Sequence, residues 1–259
     1  MRIIDLSAPV DAAGYEPDPV RHEVLSPRDG ALHMSHEMRE HFGIEFDPDV
    51  LPDGEFLSLD RISLTTHTGT HVDAPSHYGS VAAYSDGRPR HIDEMPLDWF
   101  YRPGVVLDLT DTGTGTINAA RLEEEFVRIG HVPAPMEIVL LHTGADRLAG
   151  TPDYFTTFAG LDGTAVHALL DLGVRVIGTD AFSLDAPFGY IIEQYQRTGD
   201  RSVLWPAHFA GRLREYCQIE RLANLGSLPR PYGFTVSCLP VRITGAGAGW
   251  ARAVALVED

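Results

Sequence analysis

Hydrophobic and polar positions follow a pattern along the chain that predicts strands separated by helices. Short apolar runs over Val105–Leu109, Glu137–His142 and Val174–Ile177 are typical of buried strands. The first intervening helix is predicted to begin after Asn118, an N-cap residue, and to end at Gly130. Strands that alternate with capped helices indicate an α/β fold with some parallel pairing.

The second predicted helix has the same kind of start and stop signals. Asp162 is its predicted N-cap, Val166 lies opposite Leu161 as a hydrophobic staple, and Gly173 ends the helix. Alternating or apolar runs elsewhere predict further strands over Arg2–Ser7, Asp60–Thr66, Phe234–Ile243 and Ala251–Val257.

The N-terminal part of the chain has a different character. Pro9–Pro27 is rich in Pro and Asp and predicts a loop, and residues 30–59 predict a helix of about three turns followed by a loop. We expect the histidines of this helix on a solvated face, although a lid that lends a polar group to a substrate is the alternative. These histidines are His33, His36 and His41. The expected organisation is a single domain over 1–259, with segment 9–59 as a lid or an oligomer contact.

Composition and charge limit the possible partners. A chain of 259 residues that is 44% hydrophobic can bury a full core. The formal net charge of −17 argues against nucleic acid or an anionic membrane surface as a partner, because both require a cationic patch. No run approaches the ~20 apolar residues of a membrane span, and we therefore expect a cytoplasmic protein with a small-molecule substrate.

Several kinds of chemistry are excluded by residue type. All 20 basic residues are Arg, which rules out Schiff-base, pyridoxal-phosphate and Walker-A mechanisms that need a lysine. Cys217 and Cys238 are too few for a disulfide framework and are expected to be small buried residues. A G-x-S-x-G elbow is also missing, so a metal ion is the best available source of a nucleophile.

Three histidines and a carboxylate are concentrated in the stretch Thr65–His77. The preceding strand leads into a turn at Gly69, and this glycine allows His67 to fold back towards the residues beyond the turn. His71 and Asp73 are two positions apart and share one face of an extended segment. Two imidazoles and a carboxylate leave open coordination positions on Zn, Mn or Fe, as a metal needs in order to activate water.

The same stretch resembles a known family. His67–His77 is similar to the signature H-x-G-T-H-x-D-x-P-x-H of the cyclase family of metal-dependent hydrolases. This family includes bacterial kynurenine formamidases, isatin hydrolases and polyketide-cyclase-like proteins. The resemblance implies a swivelling β/β/α domain with a mixed sheet. It also implies a homodimer or homotetramer in which neighbouring chains help to close the site.

Two residues further along the chain become candidates through this resemblance. In kynurenine formamidases a downstream His and a Glu twelve residues later complete a second metal position, and His208 and Glu220 stand at that spacing. The Glu lies in a run similar to the family's E-N-L-x-N-L, with Arg221 in place of the first Asn. The resemblance therefore implies a divalent metal, Zn or Mn, with one or two ions per chain and Asp73 as a bridge.

The residues divide into predicted ligands and a predicted proton carrier. The predicted metal ligands are His67, His71, Asp73, His208 and Glu220. His77 either ligates or acts as general acid/base. We predict the catalytic role for His77, because three protein ligands are already supplied before it and Pro75 separates it from them.

These assignments lead to three hypotheses for function. The first is hydrolysis of the C–N bond of an aryl formamide or cyclic amide by metal-activated water. The second is a polyketide cyclase that closes an aromatic ring with the same metal site. The third is a protein that binds a metal or an aromatic ligand without turnover. The long N-terminal segment resembles that of cyclase-family members associated with aromatic polyketide pathways, and this resemblance implies a bulkier, ring-shaped substrate.

Overall fold

The computed structural model describes residues 1–85 and 87–258, and these contain thirteen strands and five α-helices. The strands are β1 (Arg2–Asp5), β2 (Arg21–Leu25), β3 (Leu59–Ser63), β4 (His71–Asp73), β5 (Tyr101–Asp108), β6 (Gly115–Ile117), β7 (Ile138–His142), β8 (Ala159–Leu161), β9 (Val176–Thr179), β10 (Cys217–Glu220), β11 (Tyr232–Ser237), β12 (Ala248–Trp250) and β13 (Val254–Val257). The helices are α1 (Pro27–Phe42), α2 (Ala119–Ile129), α3 (Gly163–Asp171), α4 (Phe188–Thr198) and α5 (Pro206–Ala210). Short 3₁₀ turns connect many of these elements.

The chain divides into two compact units. One consists of Met1–Glu16 with Thr66–Asp259, of which Asp86 and Asp259 lie outside the described residues, and the other of Pro17–Thr65. The single domain over 1–259, with 9–59 as a lid or an oligomer contact, stays a prediction. In the described ranges, no helix has both the length and the apolar character to cross a bilayer.

The smaller unit combines an antiparallel β2–β3 ladder with α1. The Ser26 side chain caps α1, and Gly43 ends the helix in the left-handed conformation, so the helix has sixteen residues and is longer than predicted. The prediction of a loop over Pro9–Pro27 is wrong at β2, which is a strand. The sequence does not reveal this strand, because four of the five β2 residues are exposed and no apolar face marks it. In α1, Glu37 pairs with His33 and His41.

The larger unit is built on a nine-stranded mixed sheet in the order β1-β13-β11-β5-β7-β9-β10-β4-β12. The four strands β5, β7, β9 and β10 are parallel, and all other pairings in the sheet are antiparallel. The predicted α/β fold with a mixed sheet is therefore confirmed. The helices α2 and α3 follow strands as the sequence predicts, with Asn118 and Asp162 as N-caps.

Both faces of the central sheet are buried, as is typical of parallel strands. In β7, Val139 and Leu141 join the cluster that contains α2 and α3 residues, whereas Ile138 and Leu140 join the cluster on the opposite face. This alternation explains why Glu137–His142 has an uninterrupted apolar run. The sequence locates such strands well because burial on both faces leaves few polar positions.

Strand boundaries and one edge strand differ from the predictions. The strand predicted over Phe234–Ile243 ends at Ser237, and Pro240, which has no N–H donor, lies beyond it. The glycine run Gly245–Gly249, which predicts a bulge or a tight turn, does contain a turn at Gly245, and it then enters the edge strand β12. Glycine has low strand propensity, so the sequence pattern does not indicate this strand.

One glycine in β8 allows the backbone to approach the segment that follows β9. A Cβ atom at Gly160 would lie 2.1 Å from the carbonyl carbon of Asp185 and 2.3 Å from the Ala186 nitrogen. The Leu161 N–H also donates to the Leu184 carbonyl at 2.7 Å. Only glycine fits at this contact, because the atoms opposite belong to backbone.

We therefore predict that Gly160→Ala lowers the free energy of unfolding by about 3 kcal/mol or more, the upper end of the range for overpacked cores. Gly189→Ala is the matched control, because nothing lies within 4 Å of a Cβ at this position in α4. The control should be unchanged or up to about 1 kcal/mol more stable. Urea denaturation of both variants measures the difference, and equal stabilities would contradict the close approach.

Candidate active site

Strand β4 places two of the predicted ligands side by side. His71 and Asp73 are buried on one face of the strand, and Val72 between them packs into the core on the other face. β10 and β12 flank β4 on its two sides. A three-residue strand inside the sheet thus fixes the positions of an imidazole and a carboxylate, as the sequence predicts.

The turn at Gly69 brings His67 back to this pair. The Nδ1 atom of His67 lies 3.2 Å from His71 Nε2 and 3.0 Å from Asp73 Oδ1, and His71 Nε2 lies 3.4 Å from the same oxygen. Four ligand atoms about 2.0–2.1 Å from a tetrahedral ion stand about 3.3–3.4 Å apart. The triangle of ligand atoms therefore has the dimensions of a site for one divalent ion.

The Asp73 carboxylate gives the strongest sign that a cation belongs here. Its side chain is fully buried, and neither oxygen has a hydrogen bond within the described part of the chain. Although burial raises the pKa of Asp73, the positive charge of His71 and the approach of His67 hold this pKa well below its usual range. A buried, ionised carboxylate without hydrogen bonds is costly unless it is paired or coordinates a metal, and the residues present fit that role.

The protonation of His71 suits a ligand. Its Nδ1 lies 2.9 Å from the Gly69 carbonyl oxygen, which only accepts hydrogen bonds. In the neutral ring the proton therefore resides on Nδ1, and Nε2 presents a lone pair towards Asp73. The same glycine that makes the turn thus also orients the ring.

A second and wider triangle involves the downstream residues. His208 Nε2 lies 4.0 Å from Asp73 Oδ2 and 3.9 Å from Glu220 Oε1. Glu220 pairs with His71 in the β10–β4 register, which brings its Oε2 to 3.7 Å from His71 Nε2. The structure thus brings the other four predicted ligands around Asp73, with His67 and His71 at one oxygen and His208 at the other.

Asp185 orients His208, and the sequence analysis does not assign it a role. Its Oδ2 lies 2.5 Å from His208 Nδ1, and its two oxygens also accept the backbone N–H groups of Ala207 and His208. Nδ1 therefore carries the proton, and Nε2 faces the cluster. The resemblance to the family also extends over the stretch Gly178–Asp185, and this is the only indication of Asp185 in the sequence.

His77 lies on the cavity side of the cluster. Its Nε2 is 4.0 Å from Asp73 Oδ2, and its ring centroid is 4.2 Å from that of His67. With His67 and Asp73 it forms one of the groups of three whose ligand atoms lie within 4.8 Å of one another. Burial, together with the charges of His67, His208 and His71, lowers the pKa of His77 to about 4 despite the opposing charge of Asp73. The ring is therefore neutral at pH 7.

Burial and charge act in opposite directions on His208. Burial lowers its pKa, but the hydrogen bond and charge of Asp185, with the charges of Glu220 and Asp73, raise it to about 9. The pKa of His71 is also raised, because the charges of Asp73 and Glu220 outweigh its burial. Without a metal ion, the buried carboxylates therefore favour the protonated form of both histidines.

Arg221 holds the backbone of one member of the cluster, His67. Its guanidinium is buried, donates to the His67 carbonyl oxygen at 3.0 Å and pairs with Glu16. The cation also lies 5.5–6.0 Å from the ring centroids of three aromatic residues, Tyr154, Phe155 and Phe182. The residue that replaces the family's first Asn therefore positions the loop that carries His67.

A cavity of about 420 Å³ opens beside the cluster. His67, His77, His208 and Glu220 form its polar side. Aromatic rings line much of the rest, among them Phe182, Phe188, Trp205 and Phe209, and Tyr78 and Arg212 also belong to the lining. Phe188 contacts Trp205 edge to face with centroids 5.4 Å apart, so these rings form a packed apolar wall. The arrangement suits a flat aromatic molecule next to the ligand atoms.

A third group of possible ligands lies elsewhere, at His142, Asp146 and Asp180. Asp180 there accepts hydrogen bonds from the Thr143 and Gly144 backbone and from the Thr143 hydroxyl. Asp146 accepts the N–H of Asn224. These carboxylates serve to hold loops together, in contrast to Asp73.

The fold and the cluster together define an α/β protein with a histidine–carboxylate centre suited to a divalent ion. The family profile "Putative cyclase" (Cyclase) matches residues 4–186. The kynurenine formamidase of Salinibacter ruber (strain DSM 13855 / M31) is 31% identical over 203 residues, which are 78% of this chain and 81% of that protein. The chain belongs to the cyclase family, and the resemblance seen in the sequence is confirmed.

Solved structures share the fold. An isatin hydrolase bound to the product analogue thioisatinate superposes with a TM-score of 0.75 at 21% identity, covering 99% of this chain and 92% of that chain. Isatin hydrolase A from Labrenzia aggregata, bound to benzyl benzoate, gives a TM-score of 0.73 at 24% identity, with coverages of 100% and 94%. At these identities the likeness establishes the fold.

The raised pKa of His208 predicts how metal affinity depends on pH. At neutral pH its Nε2 is protonated in the metal-free protein, so a bound ion must displace this proton. The apparent affinity for Mn²⁺ should rise by about tenfold per pH unit for each displaced proton, and should level off above pH 9 where the proton is already lost. Titration calorimetry from pH 6.5 to 9, in buffers of different ionisation enthalpy, gives both affinity and proton release.

His41→Ala is the control for this measurement, because His41 lies in α1 and is two-thirds exposed. This variant should retain the affinity and the proton release of the unmodified protein. An affinity for Mn²⁺ that does not change between pH 6.5 and 9 would show that the ion does not displace a proton from His208.

Proposed function

We propose that this chain is a metal-dependent hydrolase that cleaves the C–N bond of an aryl formamide or a cyclic aryl amide with water as the nucleophile. The observation that carries this proposal is the buried Asp73 carboxylate, which lacks hydrogen bonds within the described residues and is surrounded by histidine nitrogens. The names of the relatives, a formamidase and hydrolases of isatin, support amide cleavage as the reaction.

In this proposal the ligands fall into two sets that share Asp73. His67 and His71 with Asp73 Oδ1 would hold one ion, and His208 and Glu220 with Asp73 Oδ2 would hold a second. Imidazole and carboxylate donors suit Zn and Mn alike. When bound, such an ion supplies the Lewis acidity that activates a water molecule and polarises the amide carbonyl.

His77 is the proposed general acid/base. Its low pKa leaves Nε2 free to accept a proton at neutral pH, and its side chain is about one-third exposed on the cavity side. The ring accepts a proton from the attacking water and donates it to the amide nitrogen as that nitrogen leaves. Such a transfer needs both groups within hydrogen-bond reach of the same ring, and the proposal is supported by the position of His77, which lines the cavity and lies 4.0 Å from Asp73.

The aromatic wall positions the substrate. The rings of Phe182, Phe188, Trp205 and Phe209 exclude water from one side of the cavity and offer their faces and edges to an aryl group. An aryl ring held there places its amide towards the polar side. Nothing in residues 1–85 and 87–258 favours ring closure or binding without turnover over this reaction.

The state of assembly belongs to the proposal as well. We propose a homodimer or homotetramer, as the family resemblance implies, and light scattering on the purified protein measures which of these forms.

Chelation and one substitution test the proposed reaction. Protein loaded with Mn²⁺ or Zn²⁺ should hydrolyse formanilide or isatin, and a chelator should abolish turnover. Asp73→Asn should lose the ion, and its activity should fall by about 100-fold or more, because a neutral amide is a weaker ligand than a carboxylate. Elemental analysis and a coupled assay of product measure both effects.

Asp98→Asn is the matched control, since Asp98 is exposed and pairs with Arg102 away from the cluster. It should keep both metal and activity. Full activity of metal-free protein would overturn the proposed function.

The role of His77 is tested separately from those of the ligands. His77→Ala should keep its metal, because Asp73 retains His67, His71, His208 and Glu220 around it, and should lower kcat by roughly 10²–10⁴-fold through loss of the proton carrier. Elemental analysis together with a pH–rate profile, which should lose one limb, distinguishes the roles. If His77→Ala instead purifies without metal while His67→Ala retains it, the two histidines have exchanged roles.

A further inference from the structure

We propose that Arg212 binds a carboxylate group on the substrate, which makes the substrate class an aryl formamide or aryl lactam that carries an acidic substituent. The inference deepens the proposed function and rests on it. It concerns which amides the site selects, whereas the ion ligands and His77 concern how an amide is cleaved.

Arg212 faces the same cavity as the ligand cluster. It lines this cavity together with His67, His77 and Glu220, and in the described part of the chain it is the only arginine among the lining residues. The remaining lining residues are mainly aromatic or small. Arg212 is therefore a permanent cation on the wall of this cavity, where a ligand in the cavity would meet it.

The surrounding residues hold the guanidinium in one orientation. Its Nε donates to the Tyr78 carbonyl oxygen, and its Cζ lies 4.1 Å from the centroid of the Phe209 ring. The group also packs closely against Gly79, where a Cβ atom would be 2.7 Å from Nε and 3.1 Å from Cζ. A group fixed in advance loses little freedom when it binds a ligand.

Within residues 1–85 and 87–258, no carboxylate binds the two terminal nitrogens of Arg212. Among the described residues, Arg90 pairs with Glu215 and Arg214 pairs with Asp171, but no acidic side chain pairs with Arg212. Arg212 is also solvent-exposed. Its Nε is engaged by Tyr78, so the edge formed by Nη1 and Nη2 stays available.

That edge matches a carboxylate. A planar guanidinium binds the two oxygens of a carboxylate through parallel, charge-assisted hydrogen bonds. The rest of the molecule repels anions, because the chain carries a formal net charge of −17 and the cluster itself contains Asp73, Asp185 and Glu220. A fixed cation inside the cavity therefore gives an acidic substrate a site that a neutral one does not use.

Kinetics on a matched set of amides test the proposal. The substrates are formanilide, which is neutral, and 2-, 3- and 4-formamidobenzoate, which differ from it only by a carboxylate. In the metal-loaded enzyme at least one isomer should exceed formanilide in kcat/KM by about 10- to 100-fold, the range for charge-assisted hydrogen bonds. In Arg212→Gln this ratio should fall to about one, and Arg212→Lys should keep part of it because charge remains without the planar fork.

The ratio removes effects that act on all substrates alike, such as partial unfolding or loss of metal. Arg214→Gln is the control, because Arg214 is two residues away, pairs with Asp171 and does not line the cavity. Its ratio should match that of the unmodified enzyme. The proposal is overturned if no isomer exceeds formanilide in kcat/KM, or if Arg212→Gln lowers kcat/KM by the same factor for formanilide and for the formamidobenzoates.

A binding measurement decides the proposal independently of turnover. Titration calorimetry of 2-, 3- and 4-aminobenzoate on the metal-loaded protein should show at least one isomer bound about tenfold more weakly by Arg212→Gln than by the unmodified protein. A carboxylate that binds only at the ion would give equal affinities in the two proteins and would refute the role of Arg212. If none of the formamides is hydrolysed but this difference is present, the proposed reaction fails and the carboxylate site stands.

Discussion

The burial of the Asp73 carboxylate is the constraint on which the rest of the site depends. An ionised carboxylate transferred into a protein interior loses several kcal/mol of solvation even after relaxation. The described residues around Asp73 supply positive or polarisable nitrogens at 3.0–4.0 Å and yet no hydrogen bond. Such an arrangement is stable only with a cation in it, either protons on the histidines or a metal ion. The pKa values of His71 and His208, both raised, show the first of these two conditions.

The sheet fixes the positions of the side chains that surround Asp73. Because β4 runs antiparallel to β10, Glu220 pairs with His71 and brings a second carboxylate to the same face. The segment between β9 and α5 adds Asp185, which holds His208, and its position depends on the absence of a side chain at Gly160. Residues far apart in sequence are thus fixed by backbone contacts, and the flexible side chains need to adjust little. This is how a site gains the precision that ion binding requires.

The sequence predicts those parts of the site that are local. His67, His71, Asp73 and His77 fall within eleven positions, so strand alternation and one glycine turn are enough to bring them together. His208 and Glu220 are found only through family resemblance, because their proximity depends on the order of the strands. Asp185 and Arg221 act on backbone groups and on other side chains, which leaves no periodic pattern. The strands β2 and β12 are missed for a related reason, since one lacks an apolar face and the other lies in a glycine run.

The aromatic wall of the cavity and the proposed ion ligand His208 are also connected, through the backbone at the start of α5. Trp205 adopts the left-handed conformation, with φ of 45°, at the start of α5, and this helix carries His208 three residues later. A non-glycine residue in this region costs about 1–2 kcal/mol, and such strain persists only where the surroundings hold it. Here the surroundings are the hydrogen bonds from Ala207 and His208 to Asp185 and the packing of Trp205 against Phe188. The turn that places the Trp205 ring in the cavity wall is therefore the same turn that directs His208 towards Asp73, so the shape of this wall and the position of the proposed ion ligand depend on one rigid segment.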